Sequence, residues 1–100
     1  MQTGAIYTPP GPDTEAAIEV EILGPKGSVY FRIPFSAFSE VFHTVSDSRE
    51  NMFRAFSNPK YGILPKLSKR LPQLSAGGVY TVTAKDLRWD MDGASPAAQL

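Results

Sequence analysis

Few side chains in this sequence are equipped for chemistry. His43 is the single histidine and there is no cysteine, which excludes a thiolate metal site, a cysteine nucleophile and a disulfide framework. A histidine acting as a ligand needs further ligands at defined spacing, and one acting as a base needs an orienting acid. His43 sits in Phe42-His43-Thr44 with neither close in sequence, so it reads as structural or exposed. Asp90-Met91-Asp92-Gly93 has the start of a calcium loop but lacks the third acidic position and the closing glutamate that complete an oxygen cage. The serines have no Gly-x-Ser-x-Gly elbow, and there is no Walker or dinucleotide fingerprint. Turns account for Gly24, Gly27, Gly62 and the Gly77-Gly78 pair. A carboxylate pair for acid and base work would have to come from Glu19 and Glu21, or from the polar passage Asp47 to Glu50. Neither place suggests a closed, water-excluding site. The expectation is a non-enzyme that carries no cofactor and no metal.

The chemistry that remains is charge. The 100 residues hold 10 Lys and Arg against 10 Asp and Glu, yet the two signs are sorted along the chain. Residues 1 to 25 carry Asp13, Glu15, Glu19 and Glu21 without a base, and the stretch from Asn51 to Lys85 carries Arg54, Lys60, Lys66, Lys69, Arg70 and Lys85 without an acid. Such sorting makes one side of the molecule basic and suits an acidic partner. The expected contact residues are Arg54, Lys60, Tyr61, Lys66, Lys69 and Arg70, docking on a larger protein assembly with an acidic surface. The alternative is a small nucleic-acid-binding regulator, with Arg54, Lys60, Lys66, Lys69 and Arg70 on phosphates and Tyr30, Tyr61 and Tyr80 available to stack on bases. No helix-turn-helix and no RNP pair accompanies them, and the total charge is not basic. On either reading, changing Lys66, Lys69 and Arg70 to glutamate is expected to abolish binding and leave the fold intact.

The elements that must position these groups start from Ile18 to Ile33. IEVEIL, a turn at Gly24-Pro25-Lys26-Gly27 and SVYFRI form a hairpin in which Leu23 pairs with Ser28, Ile22 with Val29, Val20 with Phe31 and Ile18 with Ile33. This register makes one face wholly apolar. On the other face it sets Glu19 opposite Arg32 and Glu21 opposite Tyr30, and a slip of one residue would lose both matches. An isolated hairpin is marginal in water, so the rest of the chain must cover the apolar face.

Before the hairpin, Pro9, Pro10 and Pro12 favour a flexible arm over residues 1–16. After it, Pro34 ends the strand, and Ser36 is the candidate N-cap of a helix bearing Phe38, Val41, Phe42 and Val45. The helical rhythm resumes at Met52, Phe53 and Phe56. A break or kink is expected near Ser46 to Ser48, where Ser48 could cap a second helix, and Asn58-Pro59 is the end. A short helical turn follows, with Pro65 as its first residue and Pro72 as its terminator, Leu64, Leu67 and Leu71 on one side and Lys66, Lys69 and Arg70 on the other. Gly77-Gly78 then leads into VYTVTA as a third strand, which Leu87 and Trp89 continue or pack against.

The expected fold is α+β: a small three-stranded antiparallel sheet, ordered β-β-α-α-β, with helices on one face. It forms a single domain over residues 17–92, between the N-terminal arm and a flexible tail at 93–100. No apolar run is long enough to cross a bilayer, and the N-terminus has no signal-peptide pattern, so no membrane insertion and a cytoplasmic location are expected. The open edges of so small a sheet either need protection or receive another chain.

Two passages carry a resemblance. Gly27-Ser28-Val29-Tyr30-Phe31-Arg32-Ile33-Pro34-Phe35-Ser36 and Gly77-Gly78-Val79-Tyr80-Thr81-Val82 resemble the small linker domain of phycobilisomes, the CpcD-like module that caps light-harvesting rods. That family leads a short strand through a Pro-aromatic junction into a helix and reaches its final strand through a Gly-Gly turn. In it the helix runs almost directly to Gly-Gly, whereas here the passage from Asp47 to Ser75 intervenes and has no counterpart. The resemblance covers about half of the chain and implies a non-catalytic module that fills the central hole of a ring of pigment-bearing subunits in photosynthesis. The functional expectation is accordingly a protein–protein interaction or linker module.

Overall fold

The computed structural model describes residues 2–71 and 74–91. Four strands form one sheet in the order β1 (Gln2–Thr8), β2 (Ala17–Gly24), β3 (Gly27–Pro34), β4 (Val79–Thr81). Among the described residues there are also four helices, α1 (Phe35–Phe42), α2 (Arg49–Ser57), α3 (Ile63–Ser68) and α4 (Ala84–Met91). The class is α+β.

The hairpin has the register that side-chain alternation dictates: Ile18, Val20 and Ile22 lie opposite Ile33, Phe31 and Val29, and Glu19 and Glu21 lie opposite Arg32 and Tyr30. All six apolar members are at most 2 % exposed. On the outer face the Arg32 guanidinium meets the Glu19 carboxylate at 2.6 Å. The inner face is covered by Ala37, Phe38 and Phe42 of α1, Met52, Ala55 and Phe56 of α2, Ile63 and Leu67 of α3, and Leu87 of α4, all in one core cluster. The helices therefore lie on one face, and the other face stays open with Ile6, Leu23, Tyr30 and Val79 exposed on it.

Two expectations about the sheet are corrected. It has four strands in mixed orientation, not three antiparallel ones. Residues Gln2–Thr8, expected within a flexible arm, form β1, antiparallel to β2 with Tyr7 opposite Ile18 and Ala5 opposite Val20. The prolines begin only after this strand. Tyr7 is fastened further by donating its hydroxyl hydrogen to the Asp47 carbonyl oxygen at 2.8 Å. The last strand, β4, runs parallel to β3. The helical passage returns the chain to the end of the sheet where β3 begins: Gly77 N–H donates to the Ser28 carbonyl at 2.7 Å and Tyr30 N–H to the Gly78 carbonyl at 3.1 Å. A strand starting beside the start of its neighbour must run parallel, and such a pair needs a crossover of a dozen or more residues, which α1 to α3 supply. Local geometry accounts for the two glycines here. Gly77 has φ +81°, and a Cβ at Gly78 would come within 2.9 Å of the Tyr80 ring.

Helix ends also differ in detail. Helix α1 starts at Phe35, with Pro34 rather than Ser36 in the N-cap position. The missing cap is supplied from a distance: the Glu15 carboxylate accepts from Ser36 N–H at 2.7 Å and from its hydroxyl at 3.0 Å. That places an anion where the helix dipole favours one. The interruption starts earlier than the expected Ser46 to Ser48, because α1 ends at Phe42 and Val45, expected on its apolar stripe, lies outside it and is 91 % exposed; Ser48 does cap α2, accepting from Asn51 N–H at 3.3 Å. Asn58 ends α2. Pro65 is the third residue of α3 rather than its first, while Pro72 lies outside the described residues. Only the first half of VYTVTA is strand, because Thr83 and Asp86 form a reciprocal cap, with Asp86 N–H on the Thr83 hydroxyl at 3.2 Å and Thr83 N–H on the Asp86 carboxylate at 3.0 Å. This cap opens α4, whose Leu87 packs into the core. The expected tail at 93–100 lies outside the described residues. No helix among the described residues is long and apolar enough to cross a membrane.

Candidate functional site

The cleft that collects most of the chemistry lies where α1 ends, between α2 and the turn leading to α3. Helix α1 stops because His43 adopts the left-handed conformation, φ 57° and ψ 37°, and returns its N–H to the Ser39 carbonyl at 3.0 Å. That conformation is costly for a residue with a Cβ and is normally given to glycine or asparagine. The reversal brings Phe42 beneath Tyr61, and the two rings stack with centroids 4.0 Å apart and planes 10° from parallel. Phe42, His43, Thr44, Val45, Asn51, Arg54, Ala55, Asn58 and Tyr61 enclose about 210 Å³.

The lining has one sign. Arg54 brings a fixed positive charge, and no carboxylate lines the cleft among the described residues. Asn51 Oδ1 accepts from Arg54 at 3.5 Å and Asn58 Oδ1 accepts from Lys60 N–H at 2.9 Å. Each of the two side-chain amides also carries N–H hydrogens that can be donated to a ligand. The aromatic pair and Ala55 form an apolar floor, and Val45, 91 % exposed, projects at the rim. Such a site suits a carboxylate or another acceptor carried next to an apolar group.

Of the six residues expected to bind a partner, the structure brings Arg54 and Tyr61 to this cleft. Lys60 precedes Tyr61 in the same turn and is exposed. Lys66 is placed differently from the expectation that it shares a solvent face with Lys69 and Arg70: it is 6 % exposed, donates to the Tyr61 carbonyl oxygen, and holds its ammonium 5.6 Å from the centre of the Phe42 ring. A helix of six residues cannot keep its flanks apart in solvent when three neighbouring helices and the sheet close around it. Lys66 supports the cleft from behind. Lys69 is exposed. Arg70 is elsewhere, ion-paired with Asp86 at 3.2 Å beside a second cavity of about 230 Å³ that Phe31, Leu67, Tyr80 and Leu87 also line.

Sequence reading missed His43, Asn51 and Asn58 as part of the site. Nothing local marks the two asparagines, and the histidine carried no signal without its neighbours in space. Among the described residues no group of three or more His, Asp or Glu side chains could hold a metal. No family model matches the chain, and neither a curated protein nor a solved structure matches it.

Proposed function

We propose that this chain is a non-catalytic interaction module whose cleft takes an acidic side chain, flanked by an apolar one, from a protein partner. The observation that carries this reading is the lining just described: Arg54 and the donor hydrogens of two asparagines above a Phe42–Tyr61 floor, with no opposing carboxylate among the described residues. Lys60, exposed beside Tyr61, and Lys69, exposed on the same basic passage, draw an acidic surface in without fixing its geometry.

The nucleic-acid alternative counted on five cations. With Lys66 drawn inside and Arg70 ion-paired to Asp86, Arg54, Lys60 and Lys69 remain for phosphates, a small set for a backbone-driven interface. The linker role implied by the resemblance is one form of the interaction reading. Mixing the chain with purified phycobilisome rods tests it: stoichiometric co-sedimentation supports that role, and free migration rejects it.

The general reading is tested with short peptides carrying Asp or Glu beside Leu or Phe, titrated into isotopically labelled protein. Saturable shifts of the Asn51 and Asn58 side-chain amides and the Tyr61 ring are expected, with Arg54→Ala weakening binding about tenfold. Peptides that leave these resonances in place, or binding to DNA that falls steeply with salt instead, would defeat it.

A further inference from the structure

The sheet ends in two unlike edges. Strand β4 is three residues long, and short edge strands are one of the ways proteins avoid unwanted pairing. Strand β1 has seven residues, QTGAIYT, with no charge and no proline. Its one protective feature is a register irregularity between Gln2 and Gly4, which leaves Gly4 to Thr8 as a regular stretch. Among the described residues, the backbone of β1 makes no hydrogen bond outside its ladder with β2. Alternate N–H and C=O groups of that stretch therefore face outward along a neutral edge.

We infer that this edge pairs with the same edge of a second copy of the chain, antiparallel across a two-fold axis through Ile6. An axis there uses the whole regular stretch and nothing beyond it, matching residue 4 with residue 8 of the partner copy and residue 5 with residue 7. Ile6 points to the open face and is 68 % exposed; on the axis each copy covers the other's. On the core-facing side small Ala5 meets Tyr7, a pairing of unequal volumes that lets the two edges approach. A foreign strand would need its own complementary sequence, whereas this one is complementary to itself, as an isologous contact requires. Neither the neutral strand nor a chain of net charge zero opposes the association. Five paired residues bury less than a standard interface, so the dimer forms reversibly as concentration rises. The edge lies apart from the cleft, and the pairing does not depend on the function proposed for it.

Sedimentation equilibrium of the full chain, without an added N-terminal tag, tests this over a range from about 10 μM to about 1 mM, where small interfaces associate. A monomer–dimer equilibrium is expected. Ile6→Lys, which faces Glu19 within its own chain and a second lysine across the axis, should raise the dissociation constant about tenfold or more. Ile6→Val should leave it nearly unchanged. Amide exchange of the unsubstituted chain supplies a readout independent of any variant: alternate amides between Gly4 and Thr8 should slow as concentration increases. A chain monomeric across the range, a dimer indifferent to Ile6→Lys, or exchange at this edge that ignores concentration would each overturn the inference.

Discussion

The Tyr61 ring lies flat on the Phe42 ring, and the carbonyl oxygen of the same Tyr61 accepts a hydrogen bond from Lys66. One residue of a turn thus ties the end of α1 to the middle of α3 and, with Phe42, lines the cleft between that helix end and α2. Replacing Tyr61 by phenylalanine keeps the stack and the carbonyl, and should change stability little. Tyr61→Ala should cost about 2–4 kcal/mol by urea denaturation, from lost packing and lost ring contact together.

Lys66 separates the structural part of the basic passage from the exposed part. Lys66→Glu places a carboxylate against a carbonyl oxygen at a site 6 % exposed, and should destabilise by about 3 kcal/mol or more. Lys66→Met, which keeps the stem and loses the hydrogen bond, should cost about 1–2 kcal/mol. Lys69→Glu, on the surface, should stay within about 0.5 kcal/mol of the parent. Thermal melts of the three variants check the order, which departs from the earlier expectation that glutamates at 66 and 69 are equally harmless to folding.

His43 holds a left-handed backbone at a place where the helix end needs one. His43→Gly removes that strain and should raise stability by about 0.5–1 kcal/mol, less the added freedom of the unfolded chain. If the imidazole also contacts an occupant of the cleft, the same variant binds the acidic peptides more weakly while melting at a higher temperature. Strain kept at a ligand site gives this opposite movement of stability and affinity.

Ser48 holds the start of α2 through its side-chain oxygen. Ser48→Ala should cost about 1 kcal/mol, and Ser48→Asp should recover most of it, because either oxygen accepts the Asn51 N–H. Chemical denaturation of the pair measures both. A loss no larger than that from Ser57→Ala, at the exposed far end of the same helix, would assign the start of α2 to packing alone.

The sequence by itself determined the central hairpin and its register, because alternation with a period of two admits one arrangement with all six apolar residues on one face. It determined the helical middle, the interruption before Ser48 and the stop at Asn58-Pro59, since these depend on side chains competing with the backbone within a few residues. The start of α4 was not read: Thr83-Ala84-Lys85-Asp86 followed by Leu87 is a capping pattern, but the β-branched run ahead of it favoured a strand carried on toward Leu87 and Trp89, where the chain instead turns into a helix.

Tertiary structure alone decided the rest. Strand β1 exists because β2 offers an edge some fifteen residues away; local composition, dominated by the prolines that follow, favours a loose arm. The direction of β4 was settled by where the helices return the chain, a property of the whole path and of no segment in it. The same holds for the cleft. Arg54, Asn51 and Asn58 are near in sequence, but His43 and Phe42 join them only through a reversal at the end of α1, and Lys66 leaves the surface only because the helices around it pack. Charge counted along a chain cannot distinguish a lysine that faces solvent from one that braces a turn, since burial depends on contacts between residues that sequence order keeps apart.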